Sequence, residues 1–166
     1  HFKVNPNKAY FAGILHDCAK HKTDSELLRI CRENHIEITE AEIRKPDLLH
    51  AKVGAYIAET KYGITDKEIL SAITWHTTGK EDMSALDKII FSADYIEPNR
   101  TKQPNLDYLR SISLKDLDLL VYSILKDTMD YLQKSGNKCI DENTKKAYLY
   151  YKKIIEERAY DIEGNS

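Results

Sequence analysis

Thr23-x-x-Glu26, Thr39-x-x-Glu42 and Thr65-x-x-Glu68 repeat one pattern in the first half of the chain. Each reads as a capping box. The hydroxyl accepts the third amide, and the glutamate reaches back to the cap's own N–H. A chain punctuated in this way is committed to helices. Asn5-Pro6 adds a start, with asparagine as cap and proline at the first helical position. This first helix is expected to run to about Lys20, with Ala9, Ala12, Leu15 and Ala19 inward. The next carries Leu27, Leu28, Ile30 and Cys31, and the one after Thr39 is stopped by Pro46. A fourth is expected from near Leu48 to before Gly63, with Val53, Ile57 and Tyr56 inward. The Thr65 box leads Ile69, Ala72 and Ile73 up to Trp75-His76, where Thr77-Thr78-Gly79 breaks the helix.

Ser84 caps the following helix, with Leu86, Ile89, Ile90 and Ala93 inward and Pro98 at its end. Residues 99–112 read as a loop with one helical turn. Leu114, Leu117, Val121, Ile124, Thr128 and Tyr131 step by three and four, which predicts the longest amphipathic helix, closed by Gly136. After a loop at 137–141, a last helix over 143–158 is rich in Tyr and Lys, a pattern that fits core and rim better than a base-stacking platform. Strand signals are weak. The expected fold is all-α: one helical bundle over residues 1–160, with a frayed tail at 161–166.

Charge and cysteine usage narrow the function classes. A net charge of -2, with both signs interspersed, argues against a broad nucleic-acid surface but leaves room for a small anionic ligand. Apolar runs are far too short to span a membrane. Three cysteines (Cys18, Cys31, Cys139) without a CxxC pair suggest neither a disulfide framework nor a zinc knuckle, and fit a reducing, cytoplasmic setting. A homodimer stays open.

The chemistry concentrates in Gly13-Ile14-Leu15-His16-Asp17-Cys18-Ala19-Lys20. If the segment is helical, His16 and Lys20 share a face and Asp17 reaches the same pocket from the side. Three more groups stand where apolar residues are expected. His50 opens a helix, His76 ends the stripe of Ala72 and Ile73, and Asp94 follows Ile90 and Phe91 on its helix. Singly, such a histidine is usually a hydrogen-bonded core residue and such an aspartate a solvated one. Jointly, His16, Asp17, His50, His76 and Asp94 point to one shared metal site. Mixed imidazole and carboxylate ligands suit iron, manganese, zinc or nickel rather than magnesium or calcium. Such a site lowers the pKa of bound water and aims hydroxide at phosphorus. Lys20, Lys80 and Arg100 are the neighbouring cations in sequence, each able to hold phosphate oxygens. His21 and His35 read as surface residues.

At these residues the chain resembles the HD-domain phosphohydrolases, named for a His-Asp pair, here His16-Asp17, with a later aspartate, here Asp94. It is most similar to the YqeK-like branch, through the Leu15–Lys20 segment and Leu49-His50-Ala51-Lys52-Val53-Gly54-Ala55. Trp75-His76-Thr77-Thr78-Gly79 and Ser92-Ala93-Asp94-Tyr95-Ile96-Glu97-Pro98-Asn99-Arg100 extend the likeness. The resemblance implies an HD-type helical bundle that hydrolyses diadenosine tetraphosphate symmetrically to two ADP through a metal-bound hydroxide, with one or two iron ions or another transition metal such as manganese. It implies that His16, Asp17 and Asp94 bind metal, and that His50 and His76 serve a second metal or the phosphates. It implies that Lys20, Tyr95 and Arg100 line the nucleotide site, with Asp17 and Lys20 catalytic. The family pattern has a further histidine on a helix before His16. His1 does not fill that role, and that helix is expected to be missing from the sequence. The rival expectations are another HD-type nucleotide phosphatase or phosphodiesterase, and a nucleotide-binding sensor without turnover.

Overall fold

The computed structural model describes residues 2–136 and 139–164, without the side chains of 162–164. Among them lie α1 (Pro6–Leu15), α2 (Asp24–Glu33), α3 (Glu40–Arg44), α4 (His50–Thr60), α5 (Lys67–Trp75), α6 (Ala85–Ile96), α7 (Leu106–Ile112), α8 (Leu117–Lys134) and α9 (Glu142–Gly164). A 3-10 turn, Pro46–Leu49, leads into α4. No strand occurs among the described residues, as the helix punctuation predicts.

Both sides of the capping box are made at Thr23 with Glu26 and at Thr39 with Glu42. The third expected box is different. Asp66, not Thr65, caps α5, accepting the amides of Glu68 and Ile69. Aspartate one position closer to the helix supplies the acceptor, so the threonine is not needed. Ser84 makes a full box with Asp87.

The helix α6 organises the interior. Leu86 and Ile90 pack with Ala12, Leu15, Ala55, Ile69 and Ile73 of the N-terminal helices. Phe91, on another face, packs with Leu120, Val121, Ile124, Leu125 and Tyr151 of α8 and α9. A third cluster joins Ala19, Leu27, Cys31, Leu49 and Val53. Tyr151 is fully buried and its hydroxyl accepts from the Met83 amide, while Tyr160 is exposed, so the tyrosines of α9 divide between core and rim. The ring of Tyr151 lies beneath Lys88, whose ammonium pairs with Asp118, and Arg158 joins the same aspartate from α9.

Several boundaries differ from expectation. Helix α1 ends at Leu15, and residues 16–22 continue as successive turns, Cys18 N–H to Leu15 O, Lys20 N–H to Asp17 O and Lys22 N–H to Ala19 O. His16 and Lys20 therefore do not share an α-helical face. The 99–112 stretch holds a two-turn helix, α7, because Leu106, Leu109 and Ile112 are buried against α8. Its N-cap, Asn105, is left-handed, a conformation asparagine tolerates. Helix α8 starts at Leu117, capped by Asp116, and leaves Leu114 and Tyr131 exposed, since the stripe is covered only between Leu120 and Leu125. Ala93 is exposed rather than inward. Helix α9 runs past 158 to Gly164; His1, Asn165 and Ser166 lie outside the described residues, with most of the expected tail's side chains.

Candidate active site

Three histidines are held in one manner. His16 Nδ1 donates to Gly13 O at 2.6 Å, His50 Nδ1 to Asp47 O at 2.6 Å and His76 Nδ1 to Ile73 O at 2.7 Å. In each case the partner is the carbonyl three residues back. Each imidazole lies at a helix end or a 3-10 turn, where a carbonyl keeps a lone pair free for a side-chain donor. A carbonyl accepts only, so Nδ1 carries the proton and Nε2 presents a lone pair. This is the orientation that an imidazole needs to ligate a metal.

The three Nε2 atoms converge. His50 Nε2 and His76 Nε2 are 3.1 Å apart, and lie 3.3 and 3.5 Å from Asp17 Oδ1. His16 Nε2 is 3.4 Å from Asp17 Oδ2 and 3.8 Å from Asp94 Oδ1. The expected quintet is thus brought together from four separate segments. His50 and His76 are buried, while His16, Asp17 and Asp94 are partly open. Asp17 Oδ1 is buried and accepts no hydrogen bond. Lone pairs facing one another beside a carboxylate oxygen call for a cation at their centre, because a single proton satisfies one pair and a metal ion several. Ligand atoms of His16, Asp17 and His76 all lie within 4.8 Å of one another, so the donor set fits a transition metal.

The ionisation of the cluster follows the same logic. Burial opposes charge on Asp17, but contact with His76, then Lys20 and His16, holds its carboxyl well below the usual range. Burial also opposes charge on Asp94, and His16 with Arg100 brings it down to about 2. Asp94 raises the basicity of His16, whereas burial lowers that of His50. Both carboxylates stay ionised at neutral pH.

Lys20 Nζ bonds Asp17 Oδ2 at 2.7 Å, and Arg100 donates to Asp94 Oδ1 at 2.9 Å. Lys80 turns to buried Asp87 at 3.6 Å instead. His21 and His35 are exposed, as expected. Arg100 is itself seated by the chain around it. Arg110 of α7 donates to the carbonyls of Ile96, Glu97 and Arg100, closing the 97–100 turn.

Beside the centre lies a cleft of about 1050 Å³. Thr77, Thr78, Tyr95 and Arg100 form its near wall; α3 and the turn after it, the 102–105 segment, α8 and the 139–144 segment supply the rest, including Arg44, Lys45 and Lys126. Burial, with Asp127 adding, pushes the Tyr95 phenol up to about 12, so it stays protonated. The far wall had no signal in the sequence, because its residues come from elements remote in the chain. Thr77 had one: it follows His76 directly.

The family comparison decides what this arrangement belongs to. The HD-domain family model matches residues 1–99, which contain the whole quintet. The chain belongs to the HD-domain family. This HD domain is 38% identical over 135 residues to a protein of Bacillus subtilis named bis(5'-nucleosyl)-tetraphosphatase, symmetrical, covering 81% of this chain and 72% of that one. A Staphylococcus aureus protein of the same name is 38% identical over 141 residues, with the same shares covered. A solved structure from Clostridium acetobutylicum, described as a predicted HD superfamily hydrolase involved in NAD metabolism, superposes with a TM-score of 0.86 at 35% identity. It covers 90% of this chain and 78% of that one. Among the described residues no helix is long and apolar enough to cross a membrane.

Proposed function

We propose that this HD domain hydrolyses diadenosine tetraphosphate symmetrically to two ADP. The observation that carries the reading is the convergence of three Nε2 lone pairs and an unpartnered carboxylate oxygen beside a nucleotide-sized cleft. The names of the Bacillus and Staphylococcus relatives support it. In this reading the acting unit is residues 1–160.

His16, Asp17 and Asp94 hold iron, with manganese as the alternative, and His50 and His76 hold a second ion or the phosphates. Metal bound there supplies an activated water and polarises a phosphoryl oxygen. The chain's own contribution is position and charge. The carbonyls of Gly13, Asp47 and Ile73 keep each imidazole aimed inward before substrate arrives. Lys20 and Arg100 contact Asp17 Oδ2 and Asp94 Oδ1, the carboxylate oxygens that also face His16, where they offset negative charge as phosphate enters. Tyr95 and Arg100 line the nucleotide cleft.

Product analysis with diadenosine tetraphosphate and iron or manganese tests the reading, with Asp94→Ala as control. ADP as sole product, lost in the variant, is expected. AMP plus ATP would misplace the cut, nucleoside plus phosphate would indicate another HD-type phosphatase, and binding without turnover a sensor.

A further inference from the structure

Symmetrical cleavage fixes more than the bond that breaks. Two phosphates and one nucleoside lie on each side of that bond, so both nucleosides lie at equal reach from the reacting centre. The cleft beside the histidines accounts for one of them. Its twin needs a second seat within the same reach.

The described residues form a second hollow, of about 440 Å³. That is inside the range of roughly 300–1,000 Å³ that small-molecule sites occupy. Arg100, Gln103 and Asn105 line both cavities and so form the divide between them. Arg100 bonds Asp94 Oδ1 at 2.9 Å, which ties this divide to the centre itself. The divide is also held from behind: the Asn105 amide donates to both carboxylate oxygens of Asp127 on α8.

The chemistry of the hollow suits a nucleoside better than a phosphate. Tyr108 lines it with an exposed ring, a flat face on which a base can stack. Asp107 lines it too. A carboxylate repels phosphate but accepts from ribose hydroxyls or from the amino group of a base. The partly buried Arg110 spends Nε and Nη2 on the carbonyls of Ile96, Glu97 and Arg100. Its Nη1 makes no hydrogen bond among the described residues, and is a donor in reserve for an uncharged acceptor.

We propose that this hollow seats the second nucleoside of the dinucleotide, its base stacked on Tyr108, with Arg100 at the phosphates between the two seats. This rests on the tetraphosphatase reading above. Tyr108 is then a residue that distinguishes substrates with two nucleosides from those with one.

The test compares diadenosine tetraphosphate with adenosine tetraphosphate, which carries the same phosphate chain and a single nucleoside. Water added across the same bridge gives two ADP from the first, and ADP plus pyrophosphate from the second. Wild type is expected to favour the dinucleotide. Tyr108→Ala is expected to lower kcat/KM for the dinucleotide about 5- to 20-fold. For adenosine tetraphosphate, the variant's kcat/KM, or its Ki as a competitor where it is not cut, is expected to stay within about twofold of wild type. Tyr108→Phe, which keeps the ring, is expected to keep the preference. An unchanged preference in Tyr108→Ala would overturn the proposal, as would an equal loss on both compounds, which marks a structural effect. Equal use of both compounds by wild type would overturn it as well. If wild type releases no ADP from the dinucleotide, the functional reading fails first and the second seat falls with it.

Discussion

The histidine–carboxylate centre and the cleft beside it are built by opposite means. Every group of the centre lies within His16–Asp94, inside the matched family region, and its imidazoles are pinned by carbonyls three residues back. Those constraints are local and stiff. The cleft wall is assembled from α3, the 100–105 loop, α8 and the 139–144 segment, and its cations are long side chains, several of them exposed. Chemistry that must not vary is placed on short, locally determined supports. The cleft proposed to take the nucleotide is left to elements joined only by packing.

Removing Asp94 should separate the two regions most sharply. Asp94→Ala is expected to abolish ADP formation, beyond the roughly 10–100-fold that outer partners of a metal site command. Metal content by elemental analysis should fall, while ADP still binds the cleft in calorimetry. Chelation of wild-type protein should have the same signature, reversed by adding back iron or manganese. Arg100→Ala should act from the other side. It is expected to lower kcat/KM by about 10- to 100-fold in steady-state assays while leaving bound metal in place. Equal loss of metal in both variants would mean that Arg100 supports the centre rather than the substrate.

Smaller effects probe the turn that joins the regions. Gly79 has φ +67°, and a Cβ there would lie 3.5 Å from the Phe91 ring. Gly79→Ala is expected to cost about 1–2 kcal/mol of stability, read by denaturant unfolding, with activity falling only as far as His76 and Thr77 shift. Asp118 lies outside both regions and pairs with Lys88 and Arg158. Burial opposes its charge, but the two cations hold its pKa below the ordinary value. Its contribution is therefore present above the ordinary carboxylate range and is lost as pH falls through the lowered value. Asp118→Asn should flatten part of the acid limb of the unfolding curve without changing the products formed at neutral pH.

The same contrast explains which parts of the molecule could be read in advance. Helix starts at Asn5, Thr23, Thr39 and Ser84 were legible because a cap is a bond between residues a few positions apart. The quintet was legible because ionisable groups interrupt apolar stripes. Misreadings arose where packing overrode pattern. Leu114 and Tyr131 continue a helical stripe that no neighbour covers. The 99–112 stretch looks polar yet forms α7, since Leu106, Leu109 and Ile112 find a partner in α8.

Local sequence was enough to establish the helical class, the segments that carry the centre and the donor types that suit a transition metal. Short-range hydrogen bonds and side-chain chemistry settle those features. Folding settled the rest. It ended α1 at Leu15, so that Asp17 turns its Oδ1 toward His50 and His76. It brought Arg100 back onto Asp94 through Arg110, and it opened the cleft between α3 and α8. These depend on contacts between residues far apart in the chain, whose geometry no local pattern records.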